Sequence, residues 1–99
     1  MTREQITEIL LQRADALKAI GVTGLYMFGS RARGDNRPDS DLDLFIDYDA
    51  ETKVPSAFKL MDFEVDIKEK IGVNVEIATR NDFHEYIRKR IEEDAVQVF

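Results

Sequence analysis

The chain of 99 residues is 43% hydrophobic, contains no cysteine and carries a net charge of −6. These features suit one reduced, cytoplasmic domain over residues 1–99, exclude disulfide frameworks and cysteine-ligated zinc, and leave no apolar run near the ~20 residues that cross a bilayer. The acidic balance disfavours duplex nucleic acid and membranes as partners, whereas a single nucleotide is not excluded, because a metal ion and local arginines can outweigh distant carboxylates.

Hydrophobic periodicity predicts helices that alternate with short strands. Apolar residues at helical spacing indicate helices, and short apolar or alternating runs between turn residues indicate strands. In chain order we predict a helix over residues 2–20 that Thr2 and Gln5 cap, a strand over 25–28, a helical turn over 31–34, a strand over 41–46, a helix over 56–70, a strand over 73–78 and a helix from Asp82 onward. The order is αβ(α)βαβα, without repeats or linkers.

Two apolar stripes on the last two predicted helices are most simply parts of the core. They are Phe58, Met61 and Val65 on one helix, and Phe83, Ile87 and Ile91 on the other. Because so small a domain has limited means of covering every apolar face, one stripe could instead be a partner-binding surface. The single histidine, His84, has no metal-ligand companion and is predicted to be a surface residue near the start of the last helix.

Two carboxylates stand at the start of the second predicted strand. Asp41 and Asp43 are two residues apart, so both project to one face, roughly 6 to 7 Å apart at Cα. Magnesium prefers carboxylate oxygen and leaves positions open for phosphates, which suits phosphoryl or nucleotidyl transfer. By itself an acidic strand start is more often simply solvent-facing. Glu76 lies on the polar face of the third strand.

A Gly-Ser pair follows the first predicted strand. Gly29 permits close approach of the backbone, and a helical turn is predicted directly after Ser30, so the pair can present N–H groups and a hydroxyl to a triphosphate. Arg31 and Arg33 flank this loop and could neutralise phosphate charge, although a solvated role suits them equally. A Gly-Ser pair alone is a weak signal, since many ordinary turns contain one.

The joint pattern is much more specific than either part. The segment Phe28-Gly29-Ser30, ten intervening residues, and Asp41-Leu42-Asp43 entering a second strand resembles the signature of the polymerase-beta-type nucleotidyltransferase superfamily. It is most similar to the minimal, MNT-type members, the MntA-like antitoxins, and the similarity extends through residues 75–79 and 86–99. This resemblance implies an α/β (α+β) fold with a small mixed sheet of three to four strands flanked by helices.

The resemblance also implies roles for the matching residues. Gly29 and Ser30 correspond to the phosphate loop, and Asp41 and Asp43 to the metal-binding aspartates. The third acidic position falls on Glu76, where the family usually has an aspartate that helps to bind metal and activates the attacking hydroxyl. Glutamate moves the carboxylate by roughly 1 to 1.5 Å, and a misplacement of about 1 Å can cost ~100-fold in rate.

The activity that the resemblance implies is transfer of AMP from ATP to a hydroxyl acceptor, with Mg²⁺ as cofactor and two ions bound during turnover. The implied acceptor is a tyrosine of a HEPN-domain ribonuclease toxin, which would make the chain the antitoxin of a toxin-antitoxin pair. Two alternatives stay open at this point. The chain could be a catalytically weak antitoxin that neutralises its partner by binding alone, or a nucleotide-sensing regulatory domain.

Overall fold

The computed structural model describes residues 1–99 and contains helices on both sides of a four-stranded sheet. Its elements are α1 Arg3–Leu11, α2 Ala14–Ala19, β1 Val22–Phe28, α3 Ser30–Arg33, β2 Leu42–Tyr48, α4 Ala57–Ile71, β3 Val75–Thr79, a 3₁₀ turn Arg80–Asp82, α5 Glu85–Asp94 and β4 Val96–Gln97. None of the helices combines the length and the apolar character that crossing a membrane requires.

The sheet is mixed, with strand order β3-β2-β1-β4. Strand β1 is antiparallel to both β2 and β4, whereas β2 and β3 are parallel. A parallel pair needs a crossover connection, and α4 supplies it between β2 and β3. The predicted α/β fold with a mixed sheet of three to four strands is therefore confirmed, and the fourth strand is the two-residue β4 near the C-terminus.

The alternation of side chains in β2 separates the core from the opposite face of the sheet. Leu42, Leu44 and Ile46 are buried beneath the helices, whereas Asp43 and Asp47 project to the other face. The core cluster joins α1, α2 and α4 to the sheet through Ile6, Leu10, Leu17, Val22, Leu25, Met27, Ala32, Leu42, Leu44, Ile46, Phe63, Ile67, Val75 and Val98. The face of the sheet that carries Asp43 is therefore free to form a site.

An aromatic layer covers part of that opposite face. The fully buried ring of Phe45 stacks on Tyr26 with centroids 4.7 Å apart, and it meets the edge of Phe83 at 5.9 Å. Phe83 also contacts Phe28 at 5.3 Å in an edge-to-face arrangement. Because Phe83 immediately precedes the α5 region, these contacts fix the last helix over the sheet.

Several predicted boundaries were wrong. The first predicted helix is two helices, because the chain leaves helical geometry at Arg13, whose side chain donates to Asp66 of α4 at 2.9 Å. The last helix begins at Glu85 instead of near Asp82, because residues 80–82 form a 3₁₀ turn and the His84 side chain accepts from the Tyr86 N–H as the N-cap. The capping box at the start of α1 is confirmed.

The assignment of the stripe on α4 to the core was also wrong. Phe58, Met61 and Val65 are 81%, 59% and 57% exposed. The helix buries a different set against the sheet, with Phe63 and Ile67 at its centre and Leu60 and Ile71 partly buried beside them. In the other stripe Phe83 and Ile91 are partly buried, but Ile87 is 55% exposed. Periodicity alone could not tell which of two apolar faces of α4 meets the core.

Candidate active site

Gly29 connects β1 to α3 at a point of very close approach. Its backbone has φ +76°, and a Cβ added there would overlap the Oδ2 atom of Asp43. The contact arises because Phe28, the preceding residue, is paired with Asp43 across the antiparallel strands. Positive φ and the lack of space each favour glycine at this position. The sheet register therefore brings the predicted phosphate loop directly against a predicted metal-binding aspartate.

Ser30 follows as the first residue of α3. The short helix is closed by hydrogen bonds from Arg33 N to Gly29 O at 3.1 Å and from Gly34 N to Ser30 O at 2.8 Å. The first N–H groups of a helix have no intrahelical acceptor, so residues 30–32 present donors beside the carboxylate of Asp43. This arrangement can receive an anionic group at the loop.

The three predicted carboxylates lie at one end of the adjacent strands β2 and β3. Asp43 and Glu76 are partners in the parallel register, and Asp41 immediately precedes β2. The pKa of Asp43 is raised above its ordinary value, first by burial and then by the negative charges of Glu76 and Asp41, while Arg33 opposes the shift. The like charges of these groups are close enough to repel one another, and a cation would relieve that repulsion.

The chemistry of this donor set fits magnesium, but the side chains do not form a ready cage. No three acidic or histidine side chains converge closely enough in the structure to hold a metal ion by themselves. Magnesium is usually held by one or two carboxylates together with water and substrate phosphates. Asp41, Asp43 and Glu76 are therefore suited to an ion that arrives with a triphosphate better than to a resident structural ion.

A fourth carboxylate near the site was missed by the sequence reading. Glu64 of α4 is partly buried, and its pKa is raised first by burial and then by the negative charge of Glu76. No motif marks this residue. Its closeness to β3 follows from the packing of the crossover helix beside that strand, which only the tertiary structure determines.

Arg31 is buried against the loop that precedes β2, and the nucleotide contact predicted for it stays a prediction. Its side chain is buried, only 6% exposed, and it donates to the backbone carbonyls of Ser40 at 3.0 Å and Pro38 at 3.2 Å. The guanidinium thereby satisfies carbonyls of the loop that delivers Asp41 to β2. Because these donors are already engaged, Arg31 is better assigned to holding the loop than to binding phosphate.

Arg33 is the arginine that faces the site. It is exposed, donates to Asp35 at 3.1 Å and to Asp94 of α5 at 3.4 Å, and its charge lowers the pKa of Asp43. It borders a cleft of about 290 Å³ between the Gly29 loop and α5, which is lined by Phe28, Gly29, Arg33, Ile87, Arg90, Ile91 and Asp94. Such exposed ion pairs are weak, so an incoming phosphate could compete for this guanidinium.

Arg80 lies on the face of the sheet that carries Asp43 and Asp47, and no sequence motif identified it. It forms a two-pronged pair with Asp47 at 2.8 and 2.9 Å and contacts Glu92 of α5 at 2.5 Å. Its guanidinium also lies 4.8 Å from the ring centre of Tyr26 and 4.9 Å from that of Phe45. Arg80 therefore ties β2, the aromatic layer and α5 together at the end of β2 that is distant from Asp43.

Comparison with known proteins places the chain in a family. The family model described as nucleotidyltransferase domain matches residues 4–98. A candidate protein adenylyltransferase of Methanocaldococcus jannaschii is 34% identical, with 98% of each chain covered. The chain belongs to the nucleotidyltransferase domain family. The predicted membership and enzyme class are thus confirmed. The protein adenylyltransferase MntA of Thermococcus cleftensis is 28% identical to this nucleotidyltransferase, over 99% of its length and 97% of the relative's.

Solved structures show that the nucleotidyltransferase has the fold of minimal members of the family. A candidate minimal nucleotidyltransferase superposes with a TM-score of 0.78 at 23% identity, covering 97% of this chain and 95% of the other. A toxin-antitoxin crystal structure with AMP-PNP superposes with a TM-score of 0.70 at 13% identity, covering 100% of this chain and 73% of the other. At these identities the likeness establishes the four-stranded α/β fold.

Proposed function

We propose that this nucleotidyltransferase is a protein adenylyltransferase that moves AMP from ATP to a hydroxyl of a partner protein. The observation that carries the proposal is the contact of the Gly29 loop with Asp43, which is itself paired in register with Glu76. A phosphate-binding loop, a metal-binding aspartate and a further carboxylate are thereby adjacent. Support for a protein acceptor comes from the relatives that share almost the full chain length and are named protein adenylyltransferases.

Each group has a role in this mechanism. Residues 29 and 30 receive the triphosphate through backbone N–H groups and the Ser30 hydroxyl, and Arg33 adds positive charge. Asp41, Asp43 and Glu76 hold Mg²⁺, with two ions during turnover, and the metal supplies neutralisation of the phosphate charge. The cleft beside α5 leaves room for the rest of the nucleotide.

The transfer step exchanges one phosphorus–oxygen bond for another. The acceptor oxygen attacks the α-phosphorus of ATP, a new P–O bond forms, and the bond to the bridging oxygen of the β-phosphate breaks, so that pyrophosphate leaves. The proton of the acceptor hydroxyl passes to the Glu76 carboxylate and then to water. Catalysis consists of positioning and charge stabilisation by these groups.

The partner that we propose is a HEPN-domain ribonuclease toxin, with a tyrosine of that toxin as the acceptor. The toxin-antitoxin assembly with AMP-PNP, whose structure this chain resembles in fold, supports a paired protein and a nucleotide site together. In this proposal the chain is the antitoxin, and adenylylation of the tyrosine blocks the toxin.

A second candidate function is neutralisation by binding alone. It is favoured by the observation that no three carboxylates converge as a metal cage, and by the longer Glu76 side chain at the third acidic position. In that case AMP transfer would be slow or absent, and the bound chain itself would block the toxin.

One experiment separates the two functions. The chain is incubated with ATP, Mg²⁺ and a candidate HEPN partner, and the intact masses of both proteins are measured. Adenylyl transfer predicts that the partner gains one or more AMP units, and that Asp41→Asn/Asp43→Asn abolishes the gain while the complex still forms. The matched control is Asp39→Asn, an exposed loop aspartate outside the site. A stable complex without any mass gain on the partner would establish binding alone.

A further inference from the structure

Helix α4 presents an apolar stripe on the side that faces away from the core. The outer stripe consists of Phe58, Met61 and Val65, which are 81%, 59% and 57% exposed. At 100° per residue these three positions fall on one face, opposite the face that Phe63 and Ile67 bury against the sheet. A soluble domain rarely leaves contiguous large apolar side chains in water unless they serve an interaction.

The border of the outer stripe is acidic and unpaired. Asp62 and Glu69 adjoin it on one side, and Glu64 and Lys68 on the other, as their positions along the helix require. None of these four side chains has an ion-pair partner among the salt bridges of the structure. Three free carboxylates against one ammonium group favour a partner that carries lysine or arginine.

The same charges argue against a second copy of this chain. Two outer stripes packed face to face would bring the three carboxylates of one border against those of the other, in two chains that each carry a net charge of −6. Like charges brought together at an interface are costly. The occupant that fits is a helix from a different protein, with an apolar face and a basic border, which matches the helix-in-groove mode of recognition.

An apolar cavity continues this surface at the N-terminal end of α4. It has a volume of about 280 Å³ and is lined by Tyr48, Val54, Pro55, Ala57, Leu60, Ile77, Ala78, Thr79 and Asp82. Val54, at its edge, is 61% exposed, and Ala57 is the neighbour of Phe58 in the chain. A cavity with apolar walls and Asp82 among its lining residues suits one anchoring side chain of the partner.

The outer stripe lies on the other side of the sheet from the candidate active site. Helix α4 buries Phe63 and Ile67 against the face of the sheet that carries Leu42, whereas Asp43 projects from the opposite face. A protein bound along the outer stripe therefore leaves the Gly29 loop and the carboxylates uncovered.

We propose that the outer stripe of α4 is the docking surface for the acceptor protein and that it binds a basic amphipathic helix of that protein. This inference rests on the proposed function for the identity of the partner. Docking holds the acceptor protein on the chain, so the stripe contributes to the choice of the protein that is modified, whereas Asp41 and Asp43 determine whether a transfer takes place.

The test compares Phe58→Ser/Val65→Ser with Tyr86→Ser, which removes an exposed aromatic residue of α5 that is 82% exposed and does not line the cleft beside the Gly29 loop. The affinity for the candidate HEPN partner and for magnesium ATP is measured by calorimetry, and AMP transfer by intact mass. We expect the α4 variant to bind the partner at least about tenfold more weakly and to transfer correspondingly less AMP, with unchanged affinity for magnesium ATP. The α5 variant should match the unmodified chain.

A second arm identifies the chemistry of the occupant. A synthetic amphipathic helix with a leucine face and a lysine border is compared with the same helix carrying a glutamate border. Binding of the lysine peptide that Phe58→Ser/Val65→Ser weakens supports the proposal. The proposal is overturned if neither the partner nor the lysine peptide requires the stripe, or if the chain self-associates through it. If Asp41→Asn/Asp43→Asn loses AMP transfer but still binds the partner, the docking surface is separate from the residues that carry out the transfer.

Discussion

The Cα atom of Gly29 lies so close to the carboxylate of Asp43 that no side chain fits between them. This contact joins the predicted phosphate loop to the strand that carries the candidate metal-binding aspartate, without any intervening group. The two residues are 14 positions apart in sequence, and the antiparallel pairing of β1 with β2 brings them together. An anionic ligand bound at the Gly29 loop would consequently lie beside the Asp43 carboxylate, and the two negative charges would affect each other.

Substitution of Gly29 by alanine should disrupt the site. Gly34→Ala is the matched control, because Gly34 has a similar φ of +86° but nothing within 4 Å of the added Cβ. Both variants carry backbone strain of roughly 1 to 3 kcal/mol, and only Gly29→Ala also displaces Asp43. We expect Gly29→Ala alone to lower AMP transfer by about 100-fold, measured beside thermal unfolding. Equal activity in the two variants would contradict the role of the contact.

Neutralising Asp43 should stabilise the fold in a pH-dependent manner. The pKa of Asp43 is raised above its ordinary value of 3.8 by burial and by the charges of Glu76 and Asp41. The folded chain therefore keeps this proton to a higher pH than the unfolded chain does, and stability falls as pH rises through that interval. Asp43→Asn removes this loss, so its gain should be full at pH 7 and absent below pH 3.8.

The measurement is denaturant unfolding of Asp43→Asn and the unmodified chain at pH 7 and pH 3.5. Asp43 is only partly buried, and solvent screening keeps the expected gain to a fraction of a kcal/mol. Asp39→Asn, in an exposed loop, is the control. A gain of the same size at both pH values would refute the electrostatic explanation.

Two substitutions separate the effect of the negative charge of Glu76 from the effect of its side-chain length. Glu76→Gln keeps the length of the side chain but cannot accept the acceptor proton as a carboxylate, so AMP transfer should fall by about 100-fold or more. Glu76→Asp keeps the charge and the proton acceptor and introduces the acid that the family usually has, so it should avoid the ~100-fold loss of the glutamine variant. Rates are measured by pyrophosphate release with the partner present. Full activity of the glutamine variant would remove Glu76 from the mechanism.

The two arginines of α3 should separate into a structural and a functional residue. Arg31→Met leaves the carbonyls of Pro38 and Ser40 without their donors and should cost about 1 to 3 kcal/mol of stability. Arg33→Met removes only exposed ion pairs and should change stability by less than about 1 kcal/mol, while it weakens binding of magnesium ATP. Calorimetry and thermal unfolding of both variants decide between these roles. The reverse pattern would restore Arg31 to the phosphate site.

Arg80 should contribute more to stability than other paired arginines of the chain. Arg80→Ala leaves Asp47 unpaired on a partly buried face and removes the contact with Glu92, at an expected cost of about 2 to 3 kcal/mol. The control is Arg13→Ala, whose pair with Asp66 is more exposed and should be worth about 1 kcal/mol or less. Similar costs in urea unfolding would show that the cation–aromatic and two-pronged contacts add nothing.

The local elements of the candidate active site were predictable because short runs of neighbouring residues specify them. The end of β1, the turn at residues 30–33 and the start of β2 follow from short apolar runs, turn residues and the positions of Gly29, Asp41 and Asp43. The pairing of Asp43 with Glu76 was implied by the family resemblance, and the register of β2 and β3 places the two residues opposite each other. The burial of Arg31 was not predictable, because an arginine beside a phosphate loop has the same sequence pattern whether it points outward or inward.

The family and the α/β order could be predicted from the sequence alone, and so could the candidate residues of the phosphate loop and of the carboxylate cluster. Tertiary structure decided which face of α4 is buried, the break between α1 and α2, and the positions of Glu64 and Arg80. These features depend on contacts between residues that are distant in the chain, such as Arg13 with Asp66 and Arg80 with Asp47. Periodicity indicates that a helix has an apolar face. Which of two apolar faces meets the sheet depends on the free energy of packing, and in α4 the face that carries Phe58 remains exposed to solvent.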